Sequence, residues 1–465
     1  MGASFRDFVA ACRKNGELIE ISQSVDLRNV AALVPQSDKA LLFTNLEGYS
    51  MPVVSGLLQS RKRLSLALGV PYERIEKKLR DAMEHPVKPK LVKKAAVKEV
   101  ILTKNKVDLY RLPVPIFSTT DGGPMITGAV VIAEDPEYGM NAGMYRLMLK
   151  EKNITGIDIV TPNNLRRYAE RALQAKKPLP VSISIGAHPC EMLASTFKAA
   201  LGTNELGYAG GLRGGAVGLA AGETIPVPCI ADAEIVLEGE ILPGVTVDEG
   251  PFSEFTGYRS APRAPRIVYQ VKAITYRNDP ILTLSSMGLP IHEGCLVGAA
   301  TKHREYKKRL VEAGIPVTDV CIPHEGAGFL LVVGVKPLYG SIAGQVGSVL
   351  GAQGRGVPGH IIVVDADVDP FNMNEVIHAL ATKCHPSRGV IIRDREPGIP
   401  LTPFLSREER KWGYGARVIF DCTWPVDWSR ETETPPRASF QEDFPDIIKE
   451  KVLKNWATYG FPTTS

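Results

Sequence analysis

The sequence predicts a multidomain chain of mixed α+β and α/β class. A mostly β unit occupies the middle, with an N-terminal α/β unit before it and a C-terminal α/β layer unit after it. Three observations lead there. The chain has 465 residues, and cores rarely extend beyond about 100–200 residues. The hydrophobic period changes along it, from mixed, to short Val/Ile/Tyr-rich strands after Val107, to alternating strands and helices after Val317. Its 43 glycines and 35 prolines are spread out, which reads as many turns and not as a low-complexity tract.

The first unit is expected over 1–106. Residues 5–15 have amphipathic helical spacing, and Leu18–Ile21 reads as a short strand. Ala40–Leu46 and Met51–Ser55 read as strands joined by a Gly-Tyr turn, and Arg61–Leu68 and Tyr72–Met83 as helices. His85 to Lys106 holds two prolines and seven lysines against one acid, so it reads as a basic linker with a solvated face.

The mainly β unit is expected over 107–290. Its strands are Ile126–Ala133, Tyr145–Lys150, Ile157–Val160, Pro180–Ile185, Ala233–Ile241, Ile267–Asn278 and Pro280–Ser285. Two helices interrupt them, Asn164–Ala175 after a Thr161-Pro162 start signal, and His188–Ala200. A connecting helix is expected over 291–316. The α/β layer follows over 317–440, with strands Val317–Ile322, Phe329–Val335 and His360–Val364 and helices Ser341–Leu350 and Asn374–Ala381. Gly344, Gly347 and Gly351 recur at helical spacing, which favours close packing over a phosphate loop. A tail over 441–465 carries a helix near Phe444–Trp456 with Ile447, Ile448, Val452, Leu453 and Trp456 on one side, a face that wants a partner.

Composition excludes several classes. Hydrophobic residues make up 44% and charged residues 23%, as in soluble globular proteins, and the net charge of +4 gives no nucleic-acid footprint. The seven cysteines are scattered without a CxxC pair, which suits reduced thiols in a cytoplasmic protein. Met1 to Leu18 lacks the apolar stretch of a signal peptide, and no run of about 18 apolar residues suggests a membrane span. GxxxxGK[ST], GxGxxG after a strand, HExxH and GxSxG are absent, which removes the commonest nucleotide, zinc-protease and hydrolase readings.

Chemistry concentrates in three stretches. In Asn141-Ala-Gly-Met-Tyr-Arg146, a glycine turn leads into a half-buried segment, and a half-buried guanidinium needs an anion, whether a structural partner or a ligand. In Glu249-Gly-Pro-Phe-Ser-Glu254, two acids lie five apart around a Gly-Pro turn with Phe252 and Phe255 beside them. Such a turn can aim both carboxylates at one point, where burial and a nearby arginine divide them into a proton donor and a fixed anion; the alternative is a charged surface turn. In Thr203–Gly215, a glycine-rich loop carries Asn204 and Glu205, whose oxygens are hard-cation ligands if a partner ligand exists.

In order and spacing, the three stretches resemble the UbiD family of reversible decarboxylases, which use prenylated flavin mononucleotide. The family's Asn five residues before an Arg appears as Asn141 and Arg146; its paired acids as Glu249 and Glu254; its loop glutamate, 44 residues before the first of these, as Glu205. The resemblance extends to Ser285–Pro290 and Asp365–Pro370. It implies a split-barrel-like cofactor domain and a Glu–Arg–Glu set in which Arg146 holds the substrate carboxylate and pairs with Glu249, and Glu254 protonates the carbon. It further implies that Asn141, Met144, Tyr145, Arg146, Glu205, Met287, Leu289 and Pro290 line the cofactor. Mn²⁺ or Mg²⁺, with K⁺ nearby, would sit on Asn141, Glu205 and Asn164. Asn164 stands 18 residues after Arg146, where many members have His; a changed metal preference follows, unless His188 substitutes.

The expected activity is non-oxidative, reversible decarboxylation of an aromatic, heteroaromatic or α,β-unsaturated acid. His292, His303 and Arg304 are candidate substrate contacts, the last two for a second carboxylate such as that of a furandicarboxylate; a solvated helix face is the alternative. A UbiX-type prenyltransferase would supply the cofactor, and the tail helix would serve a homodimer or homohexamer. Two other readings stay open: a non-catalytic flavin-binding subunit of a larger complex, and a phenolic acid carboxylase.

Overall fold

The computed structural model describes residues 4–159, 163–197, 199–258, 262–286, 293–352, 356–440 and 442–460. Helix Phe5–Lys14 opens the chain under a capping box, Ser4 accepting from the Asp7 N–H and Asp7 answering at the Ser4 N–H. It turns Phe5, Phe8, Val9 and Cys12 into a core shared with helices Arg61–Leu68 and Ile75–Glu84. Strands Leu18–Ile21, Ala40–Phe43 and Val53–Ser55 form a sheet beside them. Its fourth strand, Leu282–Leu284, comes from the far end of the segment assigned to the middle unit and pairs in parallel with Val53–Ser55. A helix at Leu27–Leu33, capped by Asp26, was not legible from spacing.

The stretch read as a basic linker is built into the sheets. Lys90–Leu91 pairs with Gly218–Ala220, and Val100–Thr103 pairs with Ala264–Tyr276. Val97 is fully buried, and Lys98 reaches the buried Glu238 at 2.6 Å. The other six lysines point to solvent, so the solvated face was read correctly while the strands beneath it were not.

The middle of the chain is a nine-stranded antiparallel sheet. Its order is Met125–Ile126, Leu147–Glu151, Ile154–Ile157, Ala264–Tyr276, Ile235–Glu249, Leu179–Ile185, Ala129–Asp135 and Gly139–Met144, with Val100–Thr103 also on Ala264–Tyr276. Successive side chains alternate between faces. Ala129, Val131 and Ala133 join the core that includes Leu41 and Phe43, and Val130 and Ile132 join the core of the N-terminal helices. Helix Asn164–Gln174 is capped by Asn163, whose Oδ1 accepts from the Arg166 N–H; the Thr161-Pro162 start signal lies outside the described residues. The second expected helix is shorter, Pro189–Ala194.

Helix Glu293–Glu312 leads to a five-stranded sheet ordered Val317–Cys321, Leu330–Val335, His360–Asp365, Tyr414–Cys422 and Val390–Pro397. Helices Ile342–Gly351 and Met373–Thr382 pack into separate apolar clusters that draw on alternate residues of the same strands, so they cover opposite faces. A Cβ on Gly347 would stand 2.9 Å from Ile419 Cδ1, which bears out close packing as the reason for that glycine. The last two strands and helix Arg407–Trp412 were missed. The tail helix, Asp446–Lys454, leaves Ile447 77% and Leu453 59% exposed.

Candidate active site

The Asn141 stretch is a strand, not a turn. Asn141 and Met144 lie in Gly139–Met144, and Arg146 sits where the chain passes into Leu147–Glu151. Glu249 ends the 15-residue strand Ile235–Glu249, and the Gly250-Pro251 turn, with a cis peptide, carries the chain round to Glu254. The three side chains meet. Arg146 Nε donates to Glu249 Oε1 at 2.8 Å, and Nη1 donates to Glu254 Oε1 at 2.7 Å. The guanidinium carbon lies 5.0 Å from the Phe252 ring centre. Phe252 is itself fully buried, packed with Met125, Met148 and Phe117.

Sequence reasoning missed two members of this cluster. Arg146 Nη2 pairs with Asp158 Oδ2 at 2.7 Å, and Arg266 Nε pairs with Asp158 Oδ1 at 3.1 Å. Asp158 directly follows strand Ile154–Ile157, whose Ile157 lies opposite Ile267 in antiparallel register, so that Arg266 comes level with Asp158. That strand pairing brings them together, so local spacing carried no signal.

A third missed residue supports the turn from outside. Ser253 donates to Asp121 Oδ1 through its N–H at 3.1 Å and its hydroxyl at 3.2 Å, and the Gly122 N–H donates to the Pro251 carbonyl at 2.8 Å. Gly122 must be glycine there, because a Cβ would come within 2.0 Å of the Gly250 carbonyl oxygen.

Burial pushes both Glu249 and Glu254 above the usual carboxylate range, against the opposing pull of Arg146. Burial also works against the Arg146 charge, but Asp158, Glu249 and Glu254 outweigh it and raise that pKa. The arrangement is a fixed cation between two buried acids whose protonated forms burial favours.

The second centre joins Asn141 and Glu205. Asn141 Nδ2 donates to Glu205 Oε1 and the Ala142 N–H donates to Oε2, each at 2.8 Å. The expected loop around Glu205 is helix Glu205–Arg213, capped by Asn204. Its glycines serve close packing. A Cβ on Gly210 would sit 2.4 Å from the Val87 carbonyl oxygen, and one on Gly211 2.8 Å from that of Ala82. Burial pushes Glu205 up to about 7, with the Ala142 and Asn141 donors pulling the other way.

These residues suit a bound cation and a polar ligand. Asn141 Oδ1 and Glu249 Oε2 are buried and have no hydrogen-bond partner among the described residues. Among the described residues the hydrogen-bond partners of the buried Glu205 carboxylate are neutral donors, and amide and carboxylate oxygens make a hard donor set. Asn164 Nδ2 donates to the Ala199 carbonyl at 3.3 Å. The Tyr145 hydroxyl donates to Asn163 Oδ1 at 3.2 Å, tying that helix start to the Arg146 segment.

The other candidates have protein partners. His188 caps its helix, Nδ1 accepting from the Cys190 N–H at 3.2 Å, and burial lowers it to about 3. His303 is buried, its Nε2 accepting from the Ile322 N–H at 2.9 Å, and burial lowers it to about 4. Arg304 reaches Glu84 at 3.3 Å. Both side chains have protein partners in this structure. Met287, Leu289, Pro290 and His292 lie outside the described residues.

Three family models match in chain order: the N-terminal, Rift-related and C-terminal domains of 3-octaprenyl-4-hydroxybenzoate carboxy-lyase, over residues 9–83, 90–290 and 295–422. The chain is 28% identical to a pyrrole-2-carboxylic acid decarboxylase of Pseudomonas aeruginosa over 98% of each. It is 30% identical to a phenolic acid decarboxylase of Sedimentibacter hydroxybenzoicus over 97% of this chain and 98% of the relative. Among solved structures, the UbiD-class enzyme HmfF from Pelotomaculum thermopropionicum, in complex with FMN, superposes with a TM-score of 0.87. That match is at 33% identity and covers 96% of this chain and 98% of the other. Family models along most of the chain, near-full-length decarboxylase relatives and this shared structure agree with the buried Glu–Arg–Glu cluster: the chain belongs to the UbiD family.

Proposed function

We propose that the chain is a carboxy-lyase that releases CO₂ from an aromatic, heteroaromatic or α,β-unsaturated carboxylic acid with the help of prenylated FMN. The observation that carries this reading is the three-residue cluster, in which Arg146 is gripped by Glu249 and Glu254 beneath Phe252. When bound, the prenylated flavin supplies the electron sink that loss of CO₂ from an sp² carbon requires, and which no side chain offers. Asn141 and Glu205 would hold the cofactor's cation, Mn²⁺ or Mg²⁺ with K⁺, and Met144 and Tyr145 would line the cofactor.

This chain's residues do the remaining work. Arg146 attracts the substrate carboxylate and fixes its direction. The bond between the carboxyl carbon and its neighbour breaks, and the electron pair stays with the neighbour. Glu254, whose pKa burial raises, then delivers its proton to that carbon, and general acid catalysis of this kind contributes about 10²–10⁴-fold. Glu249 holds the guanidinium as a fixed anion. Phe252 and the packing behind it keep water from the proton donor. The same groups lower the barrier in both directions, so CO₂ concentration sets the net flux.

The test uses protein co-expressed with a UbiX-type flavin prenyltransferase. Cinnamic, benzoic, furoic and pyrrole carboxylic acids are offered and CO₂ is measured. Release from at least one is expected; a bound flavin band with release from none contradicts the proposal.

A further inference from the structure

Each nitrogen of the Arg146 guanidinium has its own carboxylate: Glu249 at Nε, Glu254 at Nη1 and Asp158 at Nη2. The first two belong to the proposed reaction. Asp158 comes from a different strand end and is held on its other oxygen by Arg266. Among the described residues, three carboxylates meet two guanidiniums before any substrate arrives. A substrate carboxylate adds a fourth anion. Buried anions in excess of their cations are costly, and the cheapest relief is a proton kept on one of them.

Resting on the carboxy-lyase reading, we propose that Asp158, paired with Arg266, is a positioning residue for the catalytic cluster: it fixes the third nitrogen of Arg146, and its negative charge disfavours a further anion at Glu254, the proton donor. The other charged groups around the two glutamates do not perform this task. Lys150, from the neighbouring strand, is a partly exposed cation near Glu249 and Asp248, and works in the opposite sense. Asp121 is engaged with Ser253. Asp158 is the acid that touches the guanidinium without belonging to the Glu249–Glu254 turn, and its charge raises both glutamates.

Infrared difference spectra across pH test this without turnover. The protonated-carboxyl band that Glu254→Gln removes reports the Glu254 titration. In Asp158→Asn, which keeps the shape and drops the charge, that band is expected to titrate about 1 pH unit lower than in the unaltered chain. In Arg266→Gln, which leaves the Asp158 charge less compensated, it is expected to titrate higher. The alkaline limb of the CO₂-release profile should move with the band in each variant. Opposite shifts support the proposal, because a general loosening of the site would move both variants the same way. An unmoved band, or shifts of one sign, overturns it. Loss of folding in both variants, read by thermal melting, also overturns it, since the pair would then be holding the fold and not the cluster. If the bands shift oppositely but no acid of the panel releases CO₂, the positioning role stands and the carboxy-lyase reading fails.

Discussion

At Arg146 a planar fork is gripped on all three nitrogens and covered by Phe252, a geometry an ammonium cannot reproduce. Arg146→Lys should therefore lower kcat/KM by at least about 100-fold in steady-state CO₂ release, because the substrate carboxylate loses its fixed direction. The pH dependence follows from Glu254, which burial raises above the ordinary carboxylate range. The proton donor must be protonated, so turnover should persist at lower pH and fall as pH rises through that raised value. The contribution to stability has the same sign: a folded pKa above the unfolded one stabilises fully below the unfolded value and is lost as pH passes the folded one. At this scale much was legible, because Asn141, Arg146, Glu205, Glu249 and Glu254 stand at fixed spacings. Asp158 and Arg266 were not, because a strand register 108 residues apart in sequence is what pairs them.

At the scale of elements, the catalytic turn is as well placed as the loop that backs it. The Gly122 N–H and the Asp121 carboxylate hold Pro251 and Ser253 from outside the turn. Gly122→Ala puts a methyl group where the Gly250 carbonyl stands, so the turn must move. Overpacking of this kind costs about 1–3 kcal/mol, and the expected result is a lower Tm together with a fall in kcat larger than the change in KM. An unchanged kcat in that variant would show that the turn tolerates displacement. The elements misread from sequence share a cause. Glu205–Arg213 looked like a loop because glycines signal flexibility by default, whereas here they allow a helix to press against backbone at Ala82 and Val87. The supposed linker looked unstructured because its lysines dominate its composition, while a few apolar residues among them secure two short strands.

For the molecule as a whole, the order of units was legible and their seams were not. Leu282–Leu284 crosses back to the N-terminal sheet, so that sheet is completed by chain that follows the Glu249–Glu254 turn. No amount of local patterning reveals which sheet a three-residue strand joins. The tail helix presents Ile447, Ile448 and Leu453 outward, an apolar face for which a second copy of the chain is the proposed cover. Truncation after residue 440 should lower the subunit count measured by light scattering; an unchanged count would remove the tail from assembly. Among the described residues no helix is long and apolar enough to cross a membrane. The account as a whole depends on one acid in one place. Its most direct test is single-turnover CO₂ release and product protonation by cofactor-loaded protein with Glu254→Gln beside the unaltered chain. The account predicts that the variant keeps its flavin absorbance and loses product formation, whereas product formed at an undiminished rate by Glu254→Gln would contradict it.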